Sequence, residues 1–229
     1  MEREKIPLSN LITILKDLLQ LLNESGIALY VQWPKKVTLR QGKVYIDRIT
    51  WASARGSVIQ GEFATLEEYG QILSSGQYSA LLYDGALLQI SYDLMGKEVI
   101  NHRLAYYPWP FLKCDLTLLA TDSPIDVFDL YMSERMHCRL NTPIRFDYTQ
   151  VKSLINAPLS HLHLNRDFVR LPVSKPVGLG QFMHFIFRNF YPNDWSTYEF
   201  LQKVEDFAFD PEDYCLEEND ASFLHVLCP

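Results

Sequence analysis

Two short segments concentrate the side chains that chemistry uses most. Arg145-Phe146-Asp147 is followed by His161-Leu162-His163-Leu164-Asn165, and then by Arg170-Leu171-Pro172. Along an extended chain, successive side chains leave on opposite faces. If 161–164 is a strand, Leu162 and Leu164 therefore turn to the core and both imidazoles leave together. The same alternation places Arg145 and Asp147 on one face, with Phe146 and Tyr148 on the other. Two neighbouring strands patterned this way gather two imidazoles, a carboxylate and a guanidinium.

That set has two chemical uses. Imidazoles that are neutral near pH 7 serve as general base and general acid in cleaving a phosphodiester, with arginine stabilising the charge on the phosphorane. Alternatively, His161, His163 and Asp147 form a facial triad for a divalent metal that activates water. The spacing fits both. It also fits binding without catalysis, or hydrogen-bonded histidines beside a structural ion pair. The residues singled out for catalysis are His161, His163, Asp147 and Arg145. Those singled out for substrate contact are Arg170, Arg103, His102 and Asn165.

Arg103 and His102 belong to a second block, His102-Arg103-Leu104-Ala105-Tyr106-Tyr107-Pro108-Trp109-Pro110. Basic side chains followed by aromatics hold a phosphate backbone and stack a base. The same string also suits a strand end running into a packed loop.

The elements that must position these residues are legible in part. Ser9 or Asn10 begins a helix whose stripe is Leu11, Ile12, Leu15, Leu18, Leu19 and Leu22, and Ser25-Gly26 ends it. Strands follow over Ile27–Trp33 and over Val37–Trp51 with a turn at Gln41-Gly42. Thr65 to Glu68 reads as a capping box for a helix through Leu73 that stops at Gly76. Tyr78–Tyr83 and Ala86–Asp93 flank Asp84-Gly85, which suits a type I′ turn, and Val99–Tyr107 returns as the next strand. Ser123-Pro124 opens a helix to about Glu134. Ile144–Tyr148 and His161–Leu164 are strands, and Gly178–Phe190 and Asp194–Phe207 are amphipathic helices. With no repeat and no flexible linker, residues 1–229 are expected to form a single α+β domain, an antiparallel meander flanked by helices.

Composition narrows the class. The 229 residues are 48% hydrophobic and 13% aromatic, which suits a folded globule. Leu11 to Leu22 is interrupted by Lys16, Asp17 and Gln20, short of the roughly 18 uncharged residues of a membrane span. No signal peptide is read at the start, so a cytoplasmic protein with no membrane partner and reduced cysteines is expected. The net charge of −7 is uneven. Segment 205–220 holds eight acids, while Arg135 to Arg170 holds six basic residues and two acids. A basic centre suits an anionic ligand, and the acidic segment either masks it or is pinned to the core elsewhere by its apolar residues with its carboxylates solvated. No phosphate loop, Gly-x-Gly-x-x-Gly after a strand, His-Glu-x-x-His, Gly-x-Ser-x-Gly elbow or zinc-knuckle spacing is present.

The ordered series His-Arg-Leu-x-x-Tyr-Pro-x-Pro at 102–110, Arg-Phe-Asp-Tyr at 145–148, His-Leu-His-Leu-Asn at 161–165, Arg-Leu-Pro-Val at 170–173 and Phe-x-x-Phe-x-x-Arg-x-Phe-Tyr at 182–191 resembles a bacterial family known as a domain of unknown function. That resemblance implies no activity. An Arg-x-Asp strand before a His-x-His segment is also similar to the core of small toxins from bacterial toxin–antitoxin pairs. Those toxins carry more histidines in the turn than residues 156–161 offer, so none of their residue roles is carried over. The expectation is a bacterial protein acting on nucleic acid, nuclease-like or toxin-like in a defence setting, with a divalent metal as one option. The rival is a non-catalytic adaptor that binds nucleic acid or a protein partner.

Overall fold

The computed structural model describes residues 10–51, 63–96, 98–113, 115–134, 136–138, 141–150, 158–204, 215–216 and 224–228. In chain order the elements are α1 (Leu11–Glu24), β1 (Ala28–Val31), β2 (Lys35–Gln41), β3 (Val44–Thr50), α2 (Leu66–Ser75), β4 (Ala80–Leu82), β5 (Leu87–Met95) and β6 (Glu98–Tyr107). They continue with α3 (Leu116–Thr121), α4 (Pro124–Ser133), β7 (Ile144–Thr149), β8 (Ser160–Leu164), β9 (Arg166–Pro172), α5 (Leu179–Phe190), α6 (Pro192–Thr197) and α7 (Glu199–Gln202). The fold is α+β. Strands β4 to β9 pair in sequence as an antiparallel meander, β1 joins the outer side of β4, and the β2–β3 ribbon attaches through β3 to β5. No helix among the described residues is long and apolar enough to cross a membrane.

Alternation gives this sheet two faces with different coverings. Leu88, Ile90 and Tyr92 of β5, Leu104 and Tyr106 of β6, and Phe146 and Tyr148 of β7 point to one side. There they pack under the leucine stripe of α1 and under Leu179, Phe182, Met183 and Ile186 of α5. On the other side Leu81, Leu87, Ala105 and Tyr107 meet an aromatic cluster of Tyr69, Trp109, Phe111, Phe128 and Tyr131 carried by α2, α4 and the loop after β6. This second cover lies at one end of the strands. Further along the same face, on β6, β7 and β8, the inward residues are polar.

Local chemistry explains where α2 and α4 begin. Thr65 Oγ1 accepts the Glu68 N–H at 3.1 Å, and the Glu68 carboxylate accepts the Ala64 N–H at 2.8 Å and the Tyr107 hydroxyl at 3.1 Å. Glu68 thus also ties the start of α2 to the sheet. Pro124 occupies the first turn of α4, where no N–H is required.

Two expectations need correction, and one strand was not foreseen. The turn between β4 and β5 is not type I′, because Gly85 (φ +87°) takes a positive φ and Asp84 does not. Instead Asp84 Oδ1 accepts the Ala86 N–H at 3.1 Å, shaping the turn with its side chain. The helix expected from Asp194 breaks at Tyr198, whose extended backbone lets its hydroxyl reach the Ser25 carbonyl at 3.2 Å. Residues 166–172, read only as a motif, form the strand β9. The acidic segment 205–220, apart from Cys215 and Leu216, lies outside the described residues, as do Arg135, Arg139 and Lys152.

Candidate active site

Register decides which polar residues meet. Asp147 on β7 stands opposite Arg103 on β6 and His161 on β8. One step along, Arg145 stands opposite Ala105 and His163, and His163 stands opposite Arg170 on β9. In an antiparallel ladder, directly opposed residues share a face. Arg103, Asp147, His161, Arg145, His163 and Arg170 therefore occupy one face, away from α1 and α5. Leu162, between the histidines, is buried on the other face, and Leu164 is partly buried there.

Asp147 is the hub. Its Oδ1 accepts from Arg103 Nε at 3.2 Å, and its Oδ2 accepts from Arg145 Nε at 2.8 Å. His163 Nε2 lies 3.3 Å from the same Oδ2. Burial alone would raise the carboxyl's pKa. The His163 hydrogen bond and the charges of Arg103 and Arg145 outweigh it and hold Asp147 well below the ordinary carboxylate range. Phe63 closes one side, with the Arg145 guanidinium 4.5 Å from its ring centroid and the His163 ring 5.9 Å away.

The two imidazoles face each other. His161 Nε2 and His163 Nε2 are 2.9 Å apart, and His161 Nδ1 lies 2.9 Å from the Pro158 carbonyl oxygen. A carbonyl only accepts, so His161 Nδ1 carries the hydrogen and the neutral ring turns a bare Nε2 toward His163. Burial, reinforced by the neighbouring His163, pushes His161 down to about 4, so it is neutral at physiological pH. One donor atom from each of Asp147, His161 and His163 lies within 4.8 Å of the other two. Around a first-row divalent ion with bonds of about 2.1 Å, adjacent ligand atoms sit roughly 3 Å apart. The contacts of 2.9 and 3.3 Å match that spacing. The hydrogen bond from Nδ1 to a backbone carbonyl is the support a metal-ligating histidine ordinarily has.

The remaining residues divide clearly. Arg170 is partly exposed, and its Nε is buried with no hydrogen-bond partner among the described residues. Asn165 is not brought to the cluster: it is exposed at the β8–β9 turn with φ +64°, a backbone state asparagine tolerates better than most residues. His102 lies on the opposite face, 1% exposed between the Tyr92 and Tyr148 rings, and its Nε2 accepts the Val177 N–H at 3.0 Å. It is a core residue, one position out of phase with Arg103. Phe63 and the Pro158 carbonyl had no mark in the sequence as site groups. Each joins through long-range packing or a backbone atom.

Residues 32–227 match a family described as uncharacterized conserved proteins, DUF2290. The chain belongs to that family. No curated protein and no solved structure matches it. For this DUF2290 chain, the case for a function therefore rests on the geometry of the polar face.

Proposed function

We propose that Asp147, His161 and His163 bind one divalent cation and that the protein hydrolyses phosphodiester bonds of nucleic acid at that site. The convergence of the three donor atoms is the observation that carries this reading. It also weighs against a metal-free mechanism. A general base and a general acid acting on opposite sides of a phosphorus need the phosphate between them, and 2.9 Å between the two nitrogens leaves no room for it.

A cation held there would act as a Lewis acid and make water nucleophilic at neutral pH. The chain's own groups do the rest. Asp147 and the two imidazoles hold the ion, and the Pro158 carbonyl fixes the His161 tautomer. Two guanidiniums (Arg103 and Arg145) hold the one carboxylate and Arg170 stands opposite His163, an excess of positive charge suited to the non-bridging phosphate oxygens and to the charge that grows on them. Water adds to phosphorus and gives one proton to solvent, the bond to the leaving oxygen breaks, and that oxygen takes a proton from solvent.

The test is calorimetric titration with Mn²⁺ and Zn²⁺, alongside cleavage of a labelled oligonucleotide. One ion should bind per chain, and binding should be lost in His161→Ala. Cleavage should stop with chelator and return with added metal. A folded protein that binds no metal would overturn the proposal. Metal binding with no cleavage of any oligonucleotide would remove the hydrolase and favour the adaptor.

A further inference from the structure

Strand β9 is the last strand of the sheet, pairing with β8 on one side, while at its end the Pro172 carbonyl accepts the Val226 N–H at 2.8 Å. Its middle bulges away from β8: Leu164 pairs with Arg166 but His163 pairs with Arg170, leaving residues 167–169 outside the ladder. Phe168, on that bulge, is 74% exposed. A lone exposed aromatic is ordinary. This one has particular neighbours. The Arg166 guanidinium sits 5.8 Å from its ring centroid, so the two side chains lie on the same side of the strand. Two residues on, Arg170 stands directly opposite His163 of the proposed metal cluster. In sequence the outer strand runs Arg166, Phe168, Arg170 toward the site, with the Arg166 guanidinium at the ring and Arg170 opposite His163.

We infer that Phe168 is a stacking platform for an unpaired base, so that the substrate is single-stranded nucleic acid whose adjacent phosphate is led by Arg170 toward the Asp147–His161–His163 cluster. The inference rests on reading that cluster as a phosphodiester site. Charge selects the occupant: an apolar partner strand would have to desolvate both flanking guanidiniums, whereas a polyanion neutralises them. The exposed ring selects the strandedness. A base stacks on a side chain only when its face is not already covered by neighbours in a duplex. The bulge supplies room, because it lifts the ring clear of the ladder.

The experiment uses the full chain in chelator, so that binding is read without cleavage. Fluorescence anisotropy is measured with a labelled single-stranded DNA, the same sequence as RNA, and the DNA duplex. Stacking contributes about 1–3 kcal/mol per base, so Phe168→Ala should weaken single-strand binding roughly 5- to 150-fold. Phe168→Trp should bind like the parent, and duplex affinity should be equal in all three proteins. The DNA and RNA arms decide which sugar is preferred. Because the ring is exposed, Phe168→Ala should melt with the parent, and a melt confirms that comparison.

Unchanged single-strand affinity in Phe168→Ala overturns the platform. So does a parent protein that binds no single strand. A Phe168→Ala protein whose oligomeric state changes while its oligonucleotide affinity does not would assign the ring to a protein interface. Metal titration and chelator-sensitive hydrolysis of bis(4-nitrophenyl) phosphate, run on the same proteins, report on the cluster alone. Normal hydrolysis with unchanged binding in Phe168→Ala sinks the platform and spares the hydrolase. Phe168-dependent binding with no hydrolysis does the reverse.

Discussion

Asp147 serves three donors at once, so its removal exposes what the polar face costs the fold. The Arg145 side chain is 8% exposed and the Asp147 carboxylate neutralises it at 2.8 Å. Asp147→Asn keeps the shape but deletes the charge, leaving a buried guanidinium beside a neutral amide. Breaking a buried pair from one side costs about 3–5 kcal/mol, and urea melts at pH 7 should show a loss in that range. A loss below about 1 kcal/mol would mean that water already solvates Arg145. His163 needs the same care. It is 1% exposed and packs on Phe63. His163→Ala should therefore melt measurably earlier than the parent, so a lost activity in that variant cannot by itself be assigned to chemistry. The alternation of Arg145, Asp147, His161 and His163 was readable because it depends only on strand period. Their burial was not, because Phe63 approaches from 82 residues before Arg145 and 100 before His163.

The elements owe their placement to a few tight junctions, of which the β4–β5 turn is the most exacting. Gly85 has φ +87°, and a Cβ added there would lie 2.6 Å from Trp109 Cε3. Its carbonyl also accepts the Tyr69 hydroxyl. Next to it, the Asp84 carboxylate accepts the Tyr191 hydroxyl at 3.0 and 2.9 Å, tying the turn to the end of α5. Gly85→Ala meets both a left-handed backbone and an aromatic wall, and should cost about 2–4 kcal/mol in a urea melt. A change within 0.5 kcal/mol would show that Trp109 yields freely. Asp84-Gly85 was legible as a turn, though the turn type was not, because the Asp84 side chain substitutes for the second positive φ. Helices α1, α2 and α4 were legible from stripe and cap. Strand β9 and the break at Tyr198 were not. The bulge removes the period of two over residues 167–169, and Tyr198 is placed by long-range contacts, its hydroxyl on the Ser25 carbonyl and its ring against the core.

On the scale of the whole molecule, the sheet separates two histidine environments that respond alike to acid. His102 lies in the core under α5, and His161 lies on the polar face. Burial pushes His102 down to about 4, against the pull of the Asp147 charge and with a small push from His161. Protonating its Nε2 would also set two donors against each other, because that atom accepts the Val177 N–H. The Tyr92 and Tyr148 rings packed against it carry no charge in this pH range. The sign follows from proton counting. Between pH 6.5 and about 4 the unfolded chain binds a proton at His102 and the folded chain does not, so stability falls as pH falls through that window. The loss approaches about 3 kcal/mol near pH 4, at 1.36 kcal/mol per pH unit. His161, also pushed down to about 4, adds a second contribution of the same sign. His102→Gln keeps an acceptor for Val177 and cannot titrate. It should therefore lose about half of the decline measured by urea melts at pH 7.5, 6.5, 5.5 and 4.5, whatever its stability at pH 7.5. A variant with the parent's full slope would show that His102 protonates as readily folded as unfolded, and that acid lability in this protein belongs to the polar face alone.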